Sequence, residues 1–156
     1  QQYYIEYYRY QGVEIIKHPK DKDKTDTHLC ILKAIDFSSE IILLGALGNR
    51  LDHSLANVSL LKIGIDNNIQ IYIDDYRNQV YLIDKTIRLQ GKPGDIFSLL
   101  PFNGKVEGLQ IEGAKYELRN AEMKAGNPFG ISNLFLEKEV IISLKKGLLI
   151  VIKSKD

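Results

Sequence analysis

The hydrophobic rhythm of this 156-residue chain changes once, near residue 66, and that change limits the fold more than any other feature. Ahead of it, apolar residues fall at helical spacing or in one unbroken run; behind it, they alternate in short segments. Residues 1–11, "QQYYIEYYRYQ", read as a helix stopped by Gly12. "VEIIKH" (13–18) reads as a short strand, and "PKDKDK" as a polar loop. Thr25 or Asp26 can cap a helix running to about Phe37. "EIILLGA" (40–46) is a continuous apolar run, which suits a strand covered on both faces. A further helix, about 52–63, follows from the spacing of Leu51, Leu55, Val58 and Leu61, with Gly64 to close it. Helix, strand, helix, strand, helix predicts an α/β layer with a parallel sheet.

Beyond residue 66 come "IQIYID", "QVYLID", "TIRLQ", "DIFSLLP", "KVEGLQIEG", "AKYELR", "EVIISLK" and "LLIVIK". Turn signals such as "GKPGD", "FNG" and "KKG" separate them. Short strands at this spacing predict an antiparallel sandwich or barrel. The expected fold class is therefore α/β plus all-β. A partial Rossmann-like layer occupies residues 1–66 and a β-sandwich residues 67–156, with the boundary at the polar "GIDNN".

Composition removes several functions. Apolar residues make up 44% and charged residues 26%, and the net charge is +1. Acids interleave with the bases, as in "KDKDKTD", so no nucleic acid or membrane partner is expected. No apolar run approaches the roughly 20 residues of a membrane span. The single cysteine, Cys30, excludes an internal disulfide and fits a reducing, cytoplasmic setting. His18, His28 and His53 show no H-x-x-x-H spacing, and one cysteine makes no zinc framework. There is no G-x-x-x-x-G-K-[ST] phosphate loop, and "GALGNR" does not complete G-x-G-x-x-G. Five tyrosines (Tyr3, Tyr4, Tyr7, Tyr8, Tyr10) crowd the first helix. With no basic stripe beside them, they suit packing rather than base stacking.

Open α/β sheets bind ligands at the carboxyl ends of their strands. The loops after strands 13–18 and 40–44 should then share one crevice. One supplies "KDKTD", the other "GALGNRLDH". Asp26 begins a helix, and a carboxylate there can ligate a Mg2+ that also touches phosphates. Arg50 offers a planar fork for phosphate. Asp52 can cap the helix, hold Arg50, or reach a metal through water. His53 can donate to a phosphate or satisfy a carbonyl. Asn57, one turn on, is either a surface amide or a support for that site.

These residues carry a resemblance. "GALGNRLDHSLANVSLL" (45–61) is similar to the signature of the thiamine pyrophosphokinase (thiamine diphosphokinase) family, G-A-x-G-x-R-x-D-H-x-x-A-N followed by apolar residues. "KDKTDTHLCILKAI" resembles the family's K-D-x-T-D helix start, and "FGISN" (129–133) its late G-x-S-N segment. The resemblance implies pyrophosphoryl transfer from ATP to the hydroxyethyl oxygen of thiamine, giving thiamine pyrophosphate and AMP. It implies a homodimer, with thiamine bound where the domains of two subunits meet. Asp26, Arg50 and Asp52 would be the catalytic set, with Mg2+ on Asp26 and Asp52. Lys24, Thr25, Arg50, His53 and Asn57 would bind the nucleotide, and Ser132 and Asn133 would lie near thiamine. The family's acidic G-D-x-D-S segment is missing from the sequence. Further residues, and the remaining acids, are therefore expected before Gln1, where the chain opens inside a helix without a Met. Without them, a non-catalytic nucleotide- or thiamine-binding module is the alternative. The tryptophan on which some members stack thiamine is also missing, and Phe129 or Phe135 is the expected substitute.

Overall fold

Short-range chemistry sets most element boundaries in the computed structural model of the chain, which describes residues 2–19, 21–127 and 129–154. Sequence readings that fall on Gln1, Lys20 and the side chain of Tyr3 lie outside the described residues. Helix α1 (Gln2–Tyr10) ends just before Gly12, whose φ of 78° is the left-handed value that stops a helix without a side-chain clash. Helix α2 (Asp26–Ala34) starts at Thr25, whose hydroxyl accepts the backbone N–H of His28 at 3.2 Å. Residues 13–19 form no strand, contrary to the reading of "VEIIKH". Val13 and Ile16 are exposed, and among the described residues no strand pairs with the segment.

Strand β1 (Glu40–Leu44) leads to α3 (Leu51–Leu60) and then to α4 (Lys62–Asn67). The expected single helix is thus two, joined at Leu61, which is 1% exposed. Gly64 does not close the first; it is buried inside α4, and Asn68, at φ 55°, caps the second. Val58 and Leu61 face the core, whereas Leu51 and Leu55 are exposed.

The remaining strands are β2 (Gln70–Asp74), β3 (Asn78–Ile83), β4 (Ile87–Gln90), β5 (Ile96–Pro101), β6 (Lys105–Glu112), β7 (Leu118–Lys124), β8 (Asn133–Leu134), β9 (Glu139–Ser143) and β10 (Leu149–Ser154). A six-stranded sheet runs β1-β2-β3-β10-β5-β8, and a four-stranded sheet runs β4-β9-β6-β7. Among the described residues only β1 and β2 pair in parallel, with Ile41 opposite Ile71 and Leu43 opposite Ile73. The division at residues 66 and 67 falls in the last turn of α4. β1 from the first part therefore shares a sheet with β2 from the second.

The larger sheet serves two cores. Its Val80 and Leu82 pack with Ile31, Ile41, Leu61, Ile71 and Ile73 beneath the helices, beside Ile150 and Ile152. The intervening residues Ile83, Leu149 and Val151, with Phe97 and Leu99, pack against Leu89, Val106, Leu109, Val140 and Ile142 of the smaller sheet. Period-two alternation along β3 and β10 produces this split. The result is an α/β layer continuous with a β-sandwich.

Candidate functional site

α2 enters β1 through residues 35–39, and α3 leaves it through residues 45–50. Both helices therefore run back against the strand, and both amino ends lie at its carboxyl edge. "KDKTD" reaches this edge through the direction of α2, not by following a strand. Helix amino ends carry unsatisfied N–H groups and partial positive charge, so they favour anions.

The 45–50 loop is held from within α3. Gly45 turns the chain at φ 65°. Asn57 Nδ2 donates to the carbonyl of Ala46 at 2.8 Å. The Ser54 hydroxyl accepts Gly48 N–H at 3.1 Å and donates to the Arg50 carbonyl at 3.2 Å. Asn57 is thus a support for the loop rather than a surface amide.

Arg50 and Asp52 form a fork, Nε to Oδ1 at 3.2 Å and Nη2 to Oδ2 at 2.5 Å. Both side chains are mostly exposed, so the guanidinium is oriented yet open to an anion. Of the roles open to Asp52, holding Arg50 is the one the structure displays. The Arg50 hydrogen bond keeps its carboxyl below the usual carboxylate range. Lys22 does the same for Asp26, first by hydrogen bond and then by charge. Both acids are therefore ionised at neutral pH. Lys24 and His53 are exposed. No hydrogen bond or ion pair joins the Asp26 group to the Arg50–Asp52 fork among the described residues.

Mg2+ takes hard oxygen donors, and these two ionised, accessible carboxylates supply them. Among the described residues no three His, Cys, Asp or Glu side chains converge into an all-protein cage. Asp26 and Asp52 are each paired with a cationic side chain and share no contact among the described residues; they are the donor type that a cation takes together with phosphate oxygens and water.

Ser132 and Asn133 sit elsewhere. Ser132 is exposed, at φ 59°, and its N–H donates to Ser98 Oγ at 3.1 Å. Asn133 is 4% exposed. Its Oδ1 accepts the N–H groups of Tyr116 and Leu134 at 3.0 and 2.9 Å, and its Nδ2 donates to the Tyr116 carbonyl at 2.8 Å. The amide is spent on the Tyr116 backbone. Phe135 is buried, edge-on to Phe97. Phe129 and Tyr116 are exposed. The sequence reading took Tyr116 as part of a strand over 114–119, although it lies in an irregular stretch before β7. Nothing local in "AKYELR" marks it, because the group that holds it is 17 positions away.

The two sets of residues occupy opposite edges of one sheet. β1, which leads to the fork, is at one end of the strand order, and β8, which contains Asn133, is at the other. Five inter-strand spacings separate them, on the order of 24 Å.

An anion-receptive edge on an α/β layer, continued into a β-sandwich, defines a two-part fold class. The model of the "Thiamin pyrophosphokinase, catalytic domain" matches residues 1–73, and that of the "Thiamin pyrophosphokinase, vitamin B1 binding domain" matches residues 84–149. The thiamine pyrophosphokinase of Bacillus subtilis is 31% identical over 147 residues, covering 87% of this chain and 65% of the relative. Its crystal structure superimposes with a TM-score of 0.82. The structure of a thiamin pyrophosphokinase family protein from Enterococcus faecalis has a TM-score of 0.82 at 30% identity, covering 97% of this chain and 74% of that one. The chain belongs to the thiamine pyrophosphokinase family. It spans between 56% and 65% of the length of the curated relatives it matches. Among the described residues no helix is long and apolar enough to cross a membrane.

Proposed function

We propose that the protein transfers the pyrophosphoryl group of ATP to the hydroxyl of thiamine, giving thiamine pyrophosphate and AMP. The observation that carries this reading is the Arg50–Asp52 fork at the edge where two helix amino ends meet. Pyrophosphoryl transfer needs charge neutralisation and in-line positioning more than covalent help. Arg50 binds the ATP phosphates, Lys24 and the Thr25 helix start add positive potential, and His53 donates from the first turn of α3. Asn57 keeps the loop close to the nucleotide through Ala46. Asp26 and Asp52 would hold Mg2+, which when bound neutralises phosphate charge. The thiamine oxygen attacks the β-phosphorus, the bond to the α-phosphate bridging oxygen breaks, and AMP leaves. The hydroxyl proton passes to an ionised carboxylate at this edge.

Thiamine rests on the sandwich, beside Ser132 and against the exposed ring of Tyr116, whose backbone Asn133 holds. Tyr116 is preferred to Phe135 because a buried ring offers no face to a ligand. The working unit is a homodimer. The separation of the two half-sites within one chain, on the order of 24 Å, supports a reaction in which one subunit's fork meets its partner's sandwich. The lone Cys30 is consistent with a cytoplasmic setting.

The test is a coupled assay for AMP and thiamine pyrophosphate with ATP, thiamine and Mg2+. Formation of both products in equal amounts is expected, with Arg50→Ala reducing the rate about a hundredfold or more. Binding of both substrates without AMP release would identify a non-catalytic module instead.

A further inference from the structure

A cavity of about 340 Å³ opens on the side of the α/β layer away from the Arg50 edge. Its lining includes Ser39, just before β1, and Gln70, the first residue of β2. It therefore lies at the amino ends of both parallel strands. The length of β1, on the order of 15 Å, separates it from the 45–50 loop.

The cavity has an apolar floor and a charged mouth. Leu61, Ile71 and Leu82 close the floor from the core side, and the partly exposed Ile65, Ile69 and Ile87 present apolar surface to the hollow. Asp84 and Lys85, adjacent in the turn between β3 and β4, stand at the mouth. Neither side chain makes a hydrogen bond or ion pair with another described residue, and neither do the amides of Asn68 and Gln70. Residues bearing one carboxylate, one ammonium and two amides thus line a hollow of ligand size whose surface is part polar and part apolar. A phosphate or other dianion is disfavoured there, because the single lysine stands next to an aspartate.

We propose that this cavity binds a zwitterionic small molecule with an apolar body, the chemistry of a large apolar amino acid. Its ammonium pairs with Asp84, its carboxylate with Lys85, and its apolar part covers the accessible faces of Ile65, Ile69 and Ile87. Such a ligand is an effector rather than a reactant, because it sits at the far end of the strand from the phosphate edge. Leu61 joins α4 to α3, and α3 begins beside Arg50, so the cavity and the fork share one helical connection.

Calorimetric titration with L-leucine and L-phenylalanine tests the proposal, with leucinol and 4-methylpentanoate as analogues that each lack one charge. Saturable binding of at least one amino acid is expected, and both analogues should bind about tenfold more weakly. Asp84→Asn and Lys85→Met should each weaken amino-acid binding to a similar degree, with an unchanged melting temperature. No saturation with either amino acid, or affinity untouched by both variants, would overturn the proposal. Displacement of the amino acid by thiamine would also overturn it, by assigning the cavity to the substrate.

Discussion

Three hydrogen bonds converge on the carboxamide of Asn133, and all three end on backbone atoms of Tyr116 and Leu134. Asn133→Ala leaves two N–H groups and a carbonyl without partners at a position that is 4% exposed. The expected loss is about 2–4 kcal/mol, read as a lower urea midpoint. Asn133→Asp keeps the two accepted bonds but sets a buried carboxylate oxygen against the Tyr116 carbonyl, so at neutral pH it should not restore wild-type stability; equal stability of the alanine variant and wild type would refute this role. Tyr81 is the other informative side chain. Burial, followed by the charges of Tyr72, Asp74 and Glu40, pushes its hydroxyl up to about 12. The folded value lies above the unfolded value of 10.0. Its contribution is therefore complete below pH 10 and is lost as pH rises towards 12. Tyr81→Phe should lose less stability than wild type between pH 9 and pH 11 in denaturant titrations. The Arg50–Asp52 pair was legible from the sequence, because its members are two positions apart. The tie between Asn133 and Tyr116 was not, because it spans 17 positions and depends on the path of the chain between them.

Elements were legible where periodicity and caps agreed. α2 begins at the Thr25 cap that "KDKTD" suggested. Thr25→Ala should cost about 1 kcal/mol, visible as a lower midpoint in thermal or urea unfolding. Long alternating runs such as those of β3 and β6 were equally plain. The failures have physical causes. Residues 13–19 carry strand-like composition but, among the described residues, no strand pairs with them. β7 begins four residues later than "AKYELR" suggests, because the chain at Tyr116 is drawn out of regular pairing by Asn133. Gly64 looked like a terminator, but it is there for space. A Cβ at that position would lie 2.6 Å from the carbonyl oxygen of Ile69 and 2.8 Å from the Ile71 side chain. Gly64→Ala should therefore destabilise by about 1–3 kcal/mol despite the better helix propensity of alanine. A neutral or stabilising effect would show that α4 can shift freely.

At the scale of the whole molecule, the proposed dimer makes a claim that one chain alone cannot satisfy. If the fork of one subunit serves the sandwich of its partner, Arg50→Ala and Tyr116→Ala damage different halves of each composite site. Mixed after subunit exchange, the two variants should regain about a quarter of wild-type activity, because half the dimers are mixed and each retains one intact site. Absence of any recovery in verified mixed dimers would place both half-sites in the same subunit.

The six-stranded sheet has one more consequence. Successive residues of β3 and β10 look into different cores, Val80, Leu82, Ile150 and Ile152 one way, Ile83, Leu149 and Val151 the other. A slip of one residue in their pairing would exchange the two sets. It would present each compartment with side chains shaped for its neighbour. An error penalised once in a sheet with one wet face is thereby penalised twice. The central strands act as a proofreading layer, and correct assembly of either half of the molecule checks the alignment of the other.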